Sequence, residues 1–241
     1  MIGVTVVPSC IAYYAGEGGV HLQLLTLCYA CLQVTAIIRA ALRARDEGVT
    51  VKPQIMVPLI GSINELTQQL GIIHAAAERT MAMHGGEKVA YKVGAMIETP
   101  RACLVAGDLA KQCDFFSFGT NDLTQLTLGI SRDDAEAHFL AFYARHALIH
   151  HDPFQRIDEV GVGSLVHKAV ATGVTAHPAL HVGVCGEHGG DPESIEFFNS
   201  VLHLQYVSCS PLRVPVARLA AARAALHRQV PYDKKVVMWG L

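Results

Sequence analysis

Three apolar runs in this sequence stop at residues able to do chemistry. Ala90-Tyr-Lys-Val-Gly-Ala-Met-Ile97 runs into Glu98, Asp114-Phe-Phe-Ser-Phe118 into Gly119-Thr120-Asn121-Asp122, and His181-Val-Gly-Val into Cys185-Gly186-Glu187-His188. In parallel α/β architectures the reacting groups sit at the carboxyl ends of strands, which is where these residues fall. Two carboxylates on neighbouring strand ends can hold one Mg²⁺, a cation that prefers oxygen ligands, keeps several waters and leaves positions for a substrate's oxygens. That chemistry suits a ketoacid or its enolate. A thiol at a third strand end, with Glu187 and His188 close in sequence, can exchange a proton at carbon, and a pKa near neutrality would serve that role.

Each of these residues also has a plainer reading. Asp122 is a good helix cap, and the turn that carries it exposes N–H groups that receive carboxylate or phosphate, so capping and binding are compatible. Cys185 could be a buried apolar residue, as free cysteines commonly are. The group His146, His150, His151 and Asp152 invites a metal assignment. Its spacing lies on no clear helix, so polar surface is the better reading.

Around these runs the chain alternates strand and helix. The expected helices cover Ala36 to Arg45, Ser62 or Asn64 to Met83, Pro100 to Gln112, Gly161 to Thr172, Ser194 to Ser200 and Val214 to Arg228. The expected strands are Pro53 to Ile60, Ala90 to Ile97, Asp114 to Phe118, His181 to Cys185 and Gln205 to Cys209. A longer excursion from Ser131 to Pro153 separates the third strand from the next helix. Five strand-helix units imply a parallel α/β sheet but do not close an eight-stranded barrel. An open doubly wound sheet, or a piece of a larger barrel, satisfies the pattern.

The composition agrees, with 51% hydrophobic and 17% charged residues pointing to a helix-covered, two-sided sheet. A net charge of −2 and a pI near 6.7 supply no basic field, so neither nucleic acid nor an anionic membrane is an expected partner. The seven cysteines are odd in number and dispersed, which implies free thiols in a reducing compartment. Cys28 and Cys31 form a lone CxxC with no second pair at zinc spacing. The apolar stretch Leu22 to Ile38 is short for a membrane span and is interrupted by Gln23, Thr26, Gln33 and Thr35.

Taken together, Gly94-Ala-Met-Ile-Glu-Thr-Pro-Arg-Ala102, Phe115-Phe-Ser-Phe-Gly-Thr-Asn-Asp-Leu-Thr-Gln125 and Val184-Cys-Gly-Glu-His-Gly-Gly190 resemble the phosphoenolpyruvate (PEP)-utilising enzymes. Within them the Cys-Gly-Glu-His-Gly-Gly and Phe-Ser-Phe-Gly forms are most similar to the pyruvate phosphate dikinase type. PEP synthase and enzyme I of the sugar phosphotransferase system share less. The resemblance runs from about Gln33 to about Arg223 and includes Ile55-Met-Val-Pro-Leu59, His151-Asp-Pro-Phe154 and Tyr206-Val-Ser-Cys-Ser-Pro211.

What it implies is a partial (β/α)₈ TIM barrel, with about five of eight units present, that interconverts pyruvate and PEP. Phosphate would come from a phosphohistidine on a separate swivelling domain. Glu98 and Asp122 would bind Mg²⁺, Glu98, Gly119, Thr120, Asn121 and Asp122 would line the substrate, and Cys185 would donate its proton. The family's barrel domains also pair, so a homodimer is implied.

The family's nucleotide-grasp and phosphohistidine domains, and the first barrel strands with their substrate-binding arginines, have no counterpart here. The sequence therefore divides into residues 1–32 without family resemblance and expected to be poorly ordered, a partial barrel over 33–230, and a tail over 231–241. A chain of this content is expected to be inactive alone. A non-catalytic dimerisation module and a Mg²⁺-dependent lyase are the competing functions. Cytoplasm is the default location, with plastid or glycosome open to the family; Trp239-Gly-Leu241 is no peroxisomal signal.

Overall fold

The structure is a computed structural model that describes the backbone at residues 5–6, 21–227 and 239–240 and the side chains of 30–226. Most of the segment 1–32, most of the tail 231–241 and the side chain of Cys28 lie outside the described residues.

In chain order the elements are β1 (Thr5–Val6), α1 (His21–Asp46), β2 (Gln54–Val57), α2 (Ile63–Met83), β3 (Lys92–Ile97), α3 (Pro100–Leu104), α4 (Ala106–Ala110), β4 (Phe115–Gly119) and α5 (Thr120–Leu128). They continue with α6 (Arg132–His138), α7 (Leu140–Arg145), α8 (Val162–Ala176), β5 (His181–Cys185), α9 (Pro192–Ser200), β6 (Tyr206–Cys209), α10 (Val214–His227) and β7 (Trp239–Gly240). Short 3₁₀ turns cover Glu187–Gly190 and Pro211–Arg213.

The strands form one parallel sheet in the order β1-β2-β3-β4-β5-β6-β7. Each described strand therefore pairs with its neighbour in sequence, and among the described strands the order never reverses. A doubly wound sheet needs a reversal, because its helices cover both faces. Its absence excludes that alternative and leaves the singly wound arrangement of a barrel segment.

The strands' period of two sorts their side chains. Ile55, Val57, Val93, Ala95, Ile97, Phe116, Phe118, Val182, Val184, Val207 and Cys209 join the main core shared with the helices. Phe116 and Phe118 are wholly enclosed there, each contributing about 1.5–3 kcal/mol by burial. The opposite face carries Met96, Ser117, Gly119, Gly183, Cys185 and Tyr206. Two of its glycines are spacers for aromatic rings. Gly94 stands opposite Phe115 and Gly183 opposite Tyr206, and a Cβ on either glycine would run into that ring. The inner face is thus filled by pairing no side chain with a large one.

The helices follow from their apolar stripes. Ala30, Val34, Ile37, Ile38, Ala41 and Leu42 are buried along α1, a repeat of threes and fours that lays one face of the helix on the core. This helix begins at His21 rather than at the expected Ala36, because the run Leu22 to Ile38 is itself helical. No helix among the described residues is long and apolar enough to cross a membrane.

Ser62 caps α2 in a reciprocal capping box with Glu65. The expected helix Pro100–Gln112 is broken at Val105 into α3 and α4. The excursion after α5 holds α6 and α7 around a small core of Ala135, Leu140 and Phe154 that is separate from the main one.

Candidate functional site

Strand register builds the site. Ile97 pairs with Phe118, and Gly119 with Cys185, so Glu98, Gly119 and Cys185 stand in one row across three adjacent strand ends. All three continue the inner face, two positions beyond Met96, Ser117 and Gly183. The middle position has no side chain, and Glu98 occupies the space: a Cβ on Gly119 would lie 2.5 Å from Glu98 Oε2 and 2.7 Å from its Cβ.

Glu98 is only 3% exposed. Its Oε1 accepts a 2.7 Å hydrogen bond from the Leu59 N–H. Leu59 itself has φ +50°, a left-handed backbone that costs a non-glycine residue on the order of 1–3 kcal/mol. The strain turns the chain after β2 so that this N–H meets the carboxylate. Burial pushes the Glu98 carboxyl up to about 7, the Leu59 bond pulls it down, and the neighbouring Asp122 carboxylate pushes it up again by charge and direct contact. Asp122 thus meets Glu98 from the first turn of α5. It makes no cap for that helix; its Oδ1 accepts from Gln125 Nε2 at 3.1 Å. Gln125 Oε1 in turn accepts from the Arg132 N–H. Arg132 is paired with Glu136 and lies over the Phe154 ring.

The turn between β4 and α5 is locked to the turn after β5. Thr120 Oγ1 lies 3.0 Å from the Cys185 carbonyl, and the Asn121 side-chain oxygen accepts from the Glu187 N–H at 3.3 Å. Gly186, at φ +102°, lets the two turns approach: a Cβ there would sit 3.0 Å from Thr120 Oγ1.

The Cys185 sulfur is 3.6 Å from the Phe118 carbonyl. Burial, above all, pushes this thiol up to about 11; a hydrogen bond from Ser117 opposes the shift, and the charges of Glu98 and Asp122 add to it. The sequence suggested a thiol poised near neutrality by Glu187 or His188. Neither group does this: Glu187 pairs with Arg213 at 2.9 Å, and both nitrogens of His188 are engaged elsewhere, with Thr120 Oγ1 and the Pro153 carbonyl, each at 2.8 Å. The Cys185 thiol therefore stays protonated at neutral pH.

The structure brings Glu98, Gly119, Thr120, Asn121, Asp122 and Cys185 to one rim. Among the described residues, no three His, Cys, Asp or Glu side chains gather closely enough to hold a metal by themselves. His146 stacks on Phe142 with ring centres 3.9 Å apart, and Asp152 accepts from the Phe154 N–H. At the rim two carboxyl groups touch, one of them buried, and they repel each other once both are ionised. That donor set fits a divalent ion with two protein ligands and its other positions given to water or substrate, the preference of Mg²⁺. Sequence reasoning missed the Leu59 N–H, Ser117, Gln125 and Arg132. Ser117 was accessible to it, two residues before Gly119 on the same face; the Leu59 N–H carries no side-chain signal.

A singly wound parallel α/β sheet with this carboxylate pair and protonated thiol at its strand ends defines a barrel-type domain with its site at the carboxyl rim. The chain belongs to the PEP-utilising enzymes: the profile of that family's PEP-binding domain matches residues 25–226. It is 52% identical over 195 residues to "Pyruvate, phosphate dikinase 1, chloroplastic" of Arabidopsis thaliana, covering 81% of this chain and 20% of the relative. Similar relatives are "Pyruvate, phosphate dikinase, chloroplastic" of Flaveria trinervia, 53% over 192 residues (80% and 20%), and "Pyruvate, phosphate dikinase 2" of Oryza sativa, 52% over 195 residues (81% and 22%). The chain spans about a fifth of the length of these curated relatives.

Proposed function

We propose that this chain forms the pyruvate- and PEP-handling end of a pyruvate phosphate dikinase, a phosphotransferase that turns ATP, pyruvate and phosphate into AMP, PEP and diphosphate. The observation that carries the reading is the contact between buried Glu98 and Asp122, one strand away from the protonated thiol of Cys185. Glu98 and Asp122 would hold Mg²⁺, which supplies positive charge for the enolate and phosphoryl oxygens.

The chain's own groups do the rest. Gly119, Thr120, Asn121 and Asp122 line the substrate, and the N–H groups that begin α5 receive its carboxylate. In the direction of pyruvate, the phosphoryl group of PEP moves from the enolate oxygen to a histidine of a partner domain. The enolate's electron pair then takes the proton of Cys185 Sγ at the methylene carbon, giving pyruvate and a thiolate that water reprotonates. In the direction of PEP these steps reverse, and the phosphoryl transfer itself needs mainly positioning.

The partners of this reading are pyruvate or PEP, the phosphohistidine domain of a complete enzyme, and a second copy of the chain. A cytoplasmic location is the default, and a plastid is the alternative favoured by the names of two relatives. The test is calorimetric titration with oxalate, a planar dianion shaped like the pyruvate enolate, with and without Mg²⁺. Binding should require Mg²⁺ and disappear in Asp122→Asn. Oxalate binding that ignores both would refute the reading.

A further inference from the structure

His188 is a polar side chain at the rim that the proposed reaction does not use, and it is wholly buried. It sits on the 3₁₀ turn Glu187–Gly190, pressed home by Gly189, where a Cβ would strike the Ser208 carbonyl. One ring nitrogen, Nε2, lies 2.8 Å from the Pro153 carbonyl, and the other, Nδ1, lies 2.8 Å from Thr120 Oγ1. A carbonyl only accepts, so Nε2 carries a proton. Burial lowers the proton affinity of the ring, against the opposing pull of Pro153, Asp191 and Glu187 and with the help of Arg132. In the neutral ring Nδ1 is then an acceptor, and at 2.8 Å it competes with the Cys185 carbonyl, 3.0 Å away, for the single proton of the Thr120 hydroxyl.

We propose that His188 is a positioning residue: by donating Nε2–H to Pro153 it fixes the tautomer whose Nδ1 holds the Thr120 hydroxyl, and so sets the Thr120–Asp122 turn against Cys185. Three segments meet at this ring. They are the turn that begins α5, the turn after β5, and the end of the excursion, whose separate core of Ala135, Leu140 and Phe154 gives it a shape of its own. A histidine's second nitrogen commonly fixes what the first presents; here the first presents an acceptor to a threonine rather than a ligand to a metal. His188 touches no substrate in this arrangement and acts only through Thr120.

The inference rests on the proposed function for its ligand arm alone. Asparagine places its amide near the position of Nδ1 and glutamine near that of Nε2, so His188→Asn keeps a partner for Thr120 while His188→Gln keeps one for Pro153. In the whole chain, with Mg²⁺ present, His188→Gln should weaken oxalate binding by about tenfold or more, because the Thr120 hydroxyl is then held by the Cys185 carbonyl alone and the turn loses its bond to the ring. His188→Asn should stay within about threefold. Thr120→Val, which also removes a substrate-lining hydroxyl, should weaken binding at least as much as the glutamine variant, and adding His188→Gln to it should cost nothing further.

Independently of any ligand, the ¹⁵N shifts of the ring should show one neutral tautomer protonated at Nε2. Thr120→Val should move the Nδ1 signal without changing that tautomer. A proton on Nδ1, an Nδ1 signal indifferent to Thr120→Val, or equal losses in the asparagine and glutamine variants would overturn the proposal. If the unaltered chain binds no oxalate in Mg²⁺, the proposed function fails, and the ring signals alone decide whether His188 holds Thr120.

Discussion

Replacing Glu98 with glutamine should stabilise the metal-free protein, and only above the pH at which Glu98 ionises. The carboxyl is enclosed and lies against Asp122, so its anion is disfavoured, and it titrates at about 7 instead of the ordinary 4.5. At about 1.4 kcal/mol per pH unit, the folded state loses on the order of 3 kcal/mol as this group is forced to ionise. A raised carboxyl pKa supports the folded state fully below about 4.5, and that support is lost as pH rises through about 7. Glutamine has the same shape, keeps an oxygen for the Leu59 N–H and never ionises. In EDTA, thermal melts of Glu98→Gln and the unaltered chain should coincide near pH 4.5. At pH 8 the variant should melt higher by roughly 6–12 °C, taking about 2–4 °C per kcal/mol for a chain of this size. Mg²⁺ should raise the unaltered chain and leave the variant alone, because binding needs the anion. Below pH 7 each ion bound should release about one proton. A difference in melting that is equal at both pH values would refute the account of Glu98.

Two further outcomes follow from the same geometry. Gly119→Ala forces a Cβ within 2.5 Å of Glu98 Oε2, so it should abolish Mg²⁺ binding by titration at a stability cost of about 1–3 kcal/mol; retained Mg²⁺ affinity would show that Glu98 does not depend on that space. Cys185, with its thiol pushed up to about 11, should react with iodoacetamide at pH 7.5 far more slowly than a free thiol peptide, and mass spectrometry showing rapid labelling at Cys185 would contradict the protonated-thiol account.

The strand ends were legible because each apolar run stops at its reactive residue, and a parallel register then places those residues in one row. Glu98, Gly119 and Cys185 needed only that. The start of α1 was hidden because Leu22–Ile38 is apolar on several sides, and its helical stripe is plain only once Ala30, Val34 and Ile37 are seen against the core. What Cys185 and His188 do was not legible. The sequence puts His188 three residues after the thiol, but the 3₁₀ turn aims its ring at Thr120 and Pro153, partners 68 and 35 residues away. The pKa of Cys185 depends on enclosure, which no local pattern encodes. The doubly wound alternative remained open for the same reason, since strand order is a property of pairing rather than of spacing.

The most direct measurement places residues 25–226 in the matching part of the full-length Arabidopsis relative and follows two half-reactions separately. These are phosphorylation of the partner histidine by ATP, and interconversion of pyruvate and PEP. With Cys185 intact both should proceed. With Cys185→Ala, ATP-dependent phosphorylation should persist while pyruvate–PEP interconversion falls by about 10²- to 10⁴-fold, the usual worth of a proton-transfer group. Cys209→Ala, on the next strand and on its helix-facing side, should retain substantial activity. A Cys185→Ala loss below about tenfold, or equal losses in the two variants, would contradict the assignment of Cys185 as the acid of this site.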